Sequence, residues 1–488
     1  MVGGAGVSPG NPRDMAFNLF EVLDTDALVS RERFANHDRE LFSAVLETAR
    51  VIAEEKFHNH YRRADAIEPA FDGEKVTTLP ETKEAIDAFI EAGFLRATAP
   101  EDEGGLQLPF CVVQACFAYF QAANVATTSY CFLTAAAANV IRQFGSDEQK
   151  RDFMAPMLEG RFLGTMCLSE PQAGSALADI HTGAHARGDG SYAIRGTKMW
   201  ISGGDHEMSE NIVHLVLARI DGAPAGVKGI SMFIVPKHRL DTNGDPVVRN
   251  GVRLMGLNHK MGWRGVTNTV LSFGEQNDCT GYLVGEANRG LDYMFLMMNE
   301  ARISVGTGAV MSGYVGYLNS LDYARSRPQG RLPDSKDPDS SPVMIAEHAD
   351  VRRMLLAQKA YVEGALSLCL FAARLVDDQA THPDEAARAD AELLLELLTP
   401  VVKAWPSEFC LEANKLAMQV LGGYGYTRDY PLEQLYRDNR LNAIHEGTNG
   451  IQAIDLLGRK VRFRNGSALA VFEQAVRADI DAAFRDPE

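Results

Sequence analysis

This 488-residue chain lacks most of the short signatures that announce a function, and each absence removes a class. No G-x-G-x-x-G follows a strand-like run and no Walker A motif occurs, so neither a Rossmann site nor a P-loop is expected. His58-Asn-His60 and His181-Thr-Gly-Ala-His185 lack a third ligand and the H-E-x-x-H form, which argues against a metal site. No G-x-S-x-G stands at a strand-to-helix turn, the setting of a hydrolase nucleophile; the match at residues 6–10 lies in a Gly- and Pro-rich stretch. The seven cysteines are odd in number and contain no C-x-x-C pair, the pattern of buried thiols in a reducing compartment rather than of a disulfide framework. Positive charge is scarce. With 48 Lys and Arg against 65 Asp and Glu, the net charge of -17 argues against a nucleic-acid partner, which would have to neutralise phosphates. No apolar run reaches the 18 or so residues of a membrane helix, and residues 1–14 carry no signal-like apolar segment. A cytoplasmic protein without membrane insertion is the expectation.

What is present reads as helix, then β, then helix. Hydrophobic residues at 46% and charged residues at 23% are ordinary globular values, and the length predicts two or three domains. Residues 15 to about 163 are expected to be helical. Leu41, Val45, Leu46, Ala49, Ile52 and Ala53 form one helical face, with Asn36 or Asp38 as cap. Further helices are expected over 81–92, over 109–126 with a continuation to 144, and after Ser146. From 162 to about 285, runs such as those at 192–195, 211–217, 229–235 and 268–273 have strand character, with Gly188-Asp-Gly-Ser as a hairpin turn. Strands without intervening helices predict an antiparallel β-barrel or sandwich. Helix returns at Leu291. The stretch 294–325 carries Gly306, Gly308, Gly313 and Gly316, which permit close packing, and further helices are expected over 349–380, 383–421 and 432–440. A last helix over 467–484 has an apolar stripe (Leu469, Phe472, Val476, Ile480, Ala483) that needs a cover. The predicted fold is therefore α+β. Its divisions are a lead at 1–37, a helical domain at 38–163, a β domain at 164–285, a helical bundle at 286–462 and a tail at 463–488.

Glu446 stands directly before a Gly-Thr-Asn-Gly turn, where backbone and burial could raise its pKa and make it a usable base. Three loops combine glycine, hydroxyl and aromatic residues: 166–175, 198–204 and 419–426, the last followed by 430–438. Glycine lets backbone N–H groups approach a ligand, and Trp200 offers a flat apolar wall. Together these stretches carry S-E-P-x-A-G-S, K-M-W-I-S, L-G-G-Y-G-Y, Y-P-x-E-x-L-x-R-D and E-G-T-N-G-I-Q. In this order, over roughly residues 40 to 460, they resemble the acyl-CoA dehydrogenases. The form of the C-terminal motif resembles a larger-subunit branch that includes methylthiopropanoyl-CoA and broad-range fatty acyl-CoA dehydrogenases.

The resemblance implies FAD as cofactor, an acyl-CoA substrate, an electron-transfer flavoprotein as acceptor and a homo-oligomer. It implies Glu446 as the acceptor of the α-proton, with hydride passing to flavin N5. Met166, Leu168, Ser169, Trp200 and Ser202 match flavin contacts. Ser175, Asn299 and Arg302 match the CoA side. Arg327, Gln419, Gly422 and Gly423 match the pyrophosphate and adenine end of FAD, partly across a subunit interface, and Thr448 matches a contact after the base. The chain departs from the family pattern at Ala176 (usually Asp), in the shortened Arg327-Pro-Gln-Gly-Arg331, at Gly450 (commonly Gln) and at His445 (often Tyr). An oxidase or desulfinase-like enzyme on the same fold, and a flavin-binding interaction protein without turnover, are the alternatives. Rapid peroxide formation and substrate-dependent flavin bleaching, respectively, distinguish them.

Overall fold

The computed structural model describes residues 10–335 and 337–485, and for 295–299 the backbone alone. The chain divides into two compact units. One comprises Met1–Val51, Gln107–Ala122 and Arg302–Glu488, and the other Ile52–Leu106 and Ala123–Ala301.

The first unit is helical. Helices Ala349–Thr381 and Glu385–Leu421 are joined by a three-residue loop, with Asp384 capping the second by accepting from Ala386 N. The glycines of helix Gly290–Ser326 do what their spacing predicts. A Cβ at Gly306 would stand 2.2 Å from the carbonyl oxygen of Val402, at Gly313 2.9 Å from Cys410 Cβ, and at Gly316 2.6 Å from Asn414 Nδ2. The Val402 carbonyl is available because its normal helical donor, four residues on, is Pro406, which has no N–H. The lead docks on this unit: Tyr314 donates to Asp14, Ser367 to Asn18, and Arg31 pairs with Asp378 at 2.5 Å. Asp377 accepts from the N–H groups of Phe110 and Cys111 (2.7 and 2.9 Å), capping helix Phe110–Phe144 from a distant part of the sequence.

In the second unit, β1 (Ala70–Phe71) and β2 (Val76–Thr77) make a short hairpin. The main sheet contains β3 (Phe162–Cys167), β4 (Gly183–Ala186), β5 (Tyr192–Ser202), β6 (Asn211–Ile220) and β7 (Ile230–Pro236). β8 (His238–Leu240) and β9 (Pro246–Arg249) form a separate hairpin, and β10 (Val252–Leu257), β11 (Asn268–Phe273) and β12 (Thr280–Leu283) complete the main sheet. The order β5-β12-β7-β6-β4 returns to β5, so five strands close a barrel that β11 and β10 extend on one side and β3 on the other. Two pairings depart from the antiparallel expectation: β3–β6 and β4–β6 are parallel. Inside lie Ile194, Val216, Phe233, Val235, Leu271 and Phe273, each almost fully buried.

Capping explains several boundaries. Asp38 accepts from Leu41 N at 2.7 Å, and Ser146 with Gln149 forms a reciprocal capping box. Helix Phe110–Phe144 contains one non-helical residue, Asn124, whose side chain accepts from Thr127 N at 3.1 Å and restarts the helix. This helix and Ala349–Thr381 are long and apolar enough to cross a membrane, a correction to the reading that no run reaches that length. In the first, 94% of the apolar window is buried, as in a core helix. All seven cysteines are free and buried.

Candidate active site

The base loop follows helix Leu432–Asn439 and the 3-10 turn Arg440–Ala443. Glu446 takes φ +49°, a left-handed conformation that costs a non-glycine residue about 1–3 kcal/mol and persists only where neighbours enforce it. Gln452 enforces it, since its Nε2 donates to the carbonyls of Glu446 (3.0 Å) and Gly447 (3.2 Å). Gly447 must be glycine: it sits at φ +82°, and a Cβ would stand 2.6 Å from that same Nε2. Thr448 then caps helix Asn449–Asp455 by accepting from Ile451 N at 3.3 Å.

The carboxyl of Glu446 has its pKa raised by loss of water, against the pull of two cations, Arg302 and Lys403. Neither cation is in ion-pair contact with it among the described residues. Arg302 is buried and pairs through Nη1 with Asp455 Oδ2 at 2.8 Å. Lys403 is fully buried, and burial pushes its ammonium down to about 8. Its Nζ donates to Asn449 Oδ1 at 3.3 Å.

His445 is neutral, held down to about 3 by burial and by Lys403. Its Nε2 donates to Asn442 Oδ1 at 3.0 Å, the first link of an amide chain. Asn442 donates to Asn439 (3.0 Å), Asn439 to Asn414 (2.7 Å), and Asn414 to the Ser312 carbonyl (2.8 Å). That chain fixes the tautomer, and an uncharged ring leaves the basicity of Glu446 intact. His445 is a packed residue.

In the β unit, Met166 ends buried on β3, with Leu168 and Ser169 half-buried after it. The Ser169 carbonyl accepts from Met199 N at 3.0 Å, which brings the 166–169 segment beside Trp200. Trp200 is the bulged residue of β5: Ile201 pairs with Thr269 and Met199 with Val270, so Trp200 has no partner in β11. It takes φ +68°, and its side chain is 58% exposed. A bulge re-aims a side chain, and here it turns the indole toward solvent. Ser202 accepts from Asn268 Nδ2 at 3.3 Å.

Behind the Ser-Glu-Pro turn lies a buried pair. Lys198 Nζ donates to the Leu168 carbonyl and to Glu170 Oε1, both at 2.9 Å. Glu170 also accepts from Thr182 Oγ1, Thr182 N and His181 N, and against the upward push of burial the charge of Lys198, with these donors, holds its carboxyl down to about 2. Ser175 lies exposed beyond this clamp, and the side chain of Asn299 lies outside the described residues.

The remaining residues form a second cluster in the helical unit. The Arg327 guanidinium lies 5.7 Å from the centre of the Tyr424 ring, and its Nε is buried without a partner. Gln419, Gly422 and Gly423 are exposed at the end of helix Glu385–Leu421, where Gly422 takes φ +58°. Lys403 and Gln419 are sixteen positions apart on that helix, about 24 Å at 1.5 Å per residue, so this cluster is separate from the base loop. Sequence reasoning missed Lys403, Asp455, Asn442 and Gln452. For Lys403 a signal existed: it is the lone charge between Leu397 and Ser407.

Comparison with known proteins identifies the family. The chain matches the acyl-CoA dehydrogenase N-terminal domain over residues 40–161, the middle domain over 165–275 and the C-terminal domain over 288–461. It belongs to the acyl-CoA dehydrogenase family of flavoprotein oxidoreductases. Within that family it is 41% identical over 401 residues to a 3-methylmercaptopropionyl-CoA dehydrogenase of Ruegeria pomeroyi, covering 82% of this chain and 67% of that one. It is 37% identical over 481 residues to the broad-specificity linear acyl-CoA dehydrogenase FadE5 of Mycobacterium tuberculosis, covering 97% and 78%. Among solved structures, the butyryl-CoA dehydrogenase of Megasphaera elsdenii superposes with a TM-score of 0.70 at 22% identity, over 87% of this chain and 99% of that one, and shares the fold.

Proposed function

We propose that this acyl-CoA dehydrogenase uses FAD and that Glu446 accepts the α-proton of the acyl-CoA thioester. One observation carries the reading: a carboxyl whose pKa burial has raised, on a strained turn fixed by Gln452, with two cations near it and neither touching it. A contacting cation would lower the pKa of the carboxylate by about 1–3 units and weaken the base. Held back, the cations only moderate the effect of burial. Among the described residues the N–H of Glu446 has no acceptor, which leaves it free to donate to the thioester oxygen as enolate charge develops.

The β unit fits the cofactor. The exposed indole of Trp200 and the half-buried Ser169 and Ser202, with Met166 and Leu168 beneath, suit a planar heterocycle with a polar rim. Bound FAD would take the hydride from the β-carbon. Arg327, Gln419, Gly422, Gly423 and Thr448 are assigned to the remainder of FAD on the resemblance; the buried Nε of Arg327 lacks a partner, as does that of Arg302. Ser175 and Asn299 are assigned to CoA. Arg302, implied by resemblance as a CoA contact, is reassigned: its pairing with Asp455 and its burial suit a fixed charge near the base. An electron-transfer flavoprotein as acceptor, a homo-oligomer and the five-part division of the chain stand as parts of the same reading.

The test is Glu446→Gln. Turnover with a panel of linear and sulfur-containing acyl-CoA thioesters should fall by on the order of 10²- to 10⁴-fold. The flavin spectrum should persist, and the melting temperature should not drop, because a buried carboxylate has been neutralised. Near-normal rates in the variant would refute the assignment.

A further inference from the structure

Lys403 is an expensive residue. An ammonium taken fully out of water needs a compensating charge in contact, yet among the described residues no carboxylate lies within ion-pair distance of its Nζ. Its hydrogen bond goes to a neutral amide, Asn449 Oδ1. That amide is itself oriented: Oδ1 also accepts from Ser407 Oγ at 3.0 Å, and Nδ2 donates to Glu408 Oε2 at 3.2 Å. Asn449 is the first residue of the helix that follows the base turn. The ammonium is therefore tied to the base loop one step away from the base.

We propose that Lys403 is a positioning residue that sets the proton affinity of Glu446 through space, with Asn449 keeping the two from pairing. The proposal rests on the reading of Glu446 as the base. The charged and titratable groups around Lys403 are Glu446 and His445 from the base loop, Arg302 with Asp455 beyond it, and Glu408 from its own helix. His445 is neutral, and Arg302 is paired with Asp455, which Arg459 also contacts, so of the two cations acting on Glu446, Lys403 is the one with no carboxylate in contact among the described residues. As pH rises through about 8 its charge fades, and Glu446 then binds its proton more tightly.

The experiment compares Lys403→Met and Lys403→Arg with the wild-type holoenzyme. Methionine matches the lysine stem without charge, so Lys403→Met should fold with an unchanged or higher melting temperature. Its acidic limb in kcat/KM against pH should move upward by about one unit, a loss of about tenfold at a pH below both limbs. Lys403→Arg, a permanent cation, should restore the limb. If arginine does not fit, Asn449→Ala, which releases the ammonium, should move the limb the opposite way from Lys403→Met. Infrared titration of the Glu446 carboxyl band, identified by its loss in Glu446→Gln, should show the same upward shift without turnover. Superimposable titrations of wild type and Lys403→Met would overturn the proposal, as would a lowered melting temperature with an unmoved limb. If Glu446→Gln keeps its activity, the base reading fails, and the infrared comparison still decides whether Lys403 acts on this carboxyl.

Discussion

Breaking the Arg302–Asp455 pair from either end should move the base in opposite directions. The two groups meet at 2.8 Å with side chains 4% and 9% exposed, and Arg459 reaches the other Asp455 oxygen at 3.3 Å. Removing one partner of such a buried pair costs about 3–5 kcal/mol, because the other is left charged and dry. Asp455→Asn keeps an acceptor for Arg302, so about 3 kcal/mol is expected, a fall in melting temperature of about 3 °C for a chain of this length. Arg302 then faces Glu446 with its full charge and stabilises the carboxylate. The acidic limb of kcat/KM should move to lower pH, and the maximal rate should fall because the base is weaker. Arg302→Met does the reverse: Asp455 keeps its charge, Glu446 loses a cation, and the limb moves to higher pH. Calorimetry and pH profiles of the two variants check both parts. Limbs that move the same way in the two variants would show that Arg302 acts on Glu446 by packing, not by charge.

Glu170 predicts a second pH effect. Its carboxyl is held down to about 2 from 4.5, so its contribution to stability is present above about pH 4.5 and is lost as pH falls toward 2. Glu170→Gln should destabilise the protein at pH 7 and flatten the acid side of its stability profile in chemical denaturation. Two glycines make an internal control. Gly306→Ala drives a methyl group onto the Val402 carbonyl and should cost about 3 kcal/mol or more, whereas Gly364→Ala, exposed on a helix with no atom within 4 Å of the new methyl, should gain about 0.4–1 kcal/mol. Differential scanning calorimetry reads both. Trp200→Gly relieves the left-handed backbone and should leave the fold intact, yet flavin retained after gel filtration should drop sharply. Trp200→Phe should keep most of it.

The helices were legible because their signals are local. Asp38, Ser146 and Gly93 mark ends by their own side chains or by glycine backbone freedom, and the apolar spacing from 41 to 53 marks a buried face. The glycines of 306–316 were legible as packing sites, though not the Val402 carbonyl that one of them meets. β5, β6, β7 and β11 could be read from their apolar runs, but β3, β4, β8, β9, β10 and β12, all of six residues or fewer, were not singled out, and the two-residue strands β1 and β2 interrupt a stretch expected to be helical. The parallel pairing of β3 and β4 with β6 could not be read at all, since pairing direction is decided by tertiary packing. In the candidate site, the turn at Glu446 was legible from its Gly-Thr-Asn-Gly run. The amide chain through Asn414, Asn439 and Asn442 was not, because its members lie on separate elements and mean nothing until folded. Phe110–Phe144 shows a further limit: composition gives the length of an apolar helix, and only burial says what surrounds it.

Eight non-glycine residues in the described structure have positive φ, and two of them are Glu446 and Trp200. Asn and Asp accept that conformation readily, while a glutamate and a tryptophan do not. Trp263, Gln107 and Arg464 share the conformation and carry no assigned chemistry, but at Trp200 and Glu446, to which chemistry is assigned, a different device holds each strain. At Trp200 a two-against-one mismatch with β11 turns the indole out of the sheet, and an exposed indole on a relaxed strand would have alternated into a regular face. At Glu446 two hydrogen bonds from Gln452 to backbone carbonyls lock the turn from which the carboxyl departs. On the proposed reading of Glu446 as the base, a turn that relaxed on protonation would lose its alignment in the step that uses it. The strain is thus an alternative to a charged partner. An arginine or lysine in contact could aim the carboxylate equally well, at the cost of the basicity that burial provides, whereas a twisted backbone fixed by a neutral amide aims it and leaves its proton affinity high.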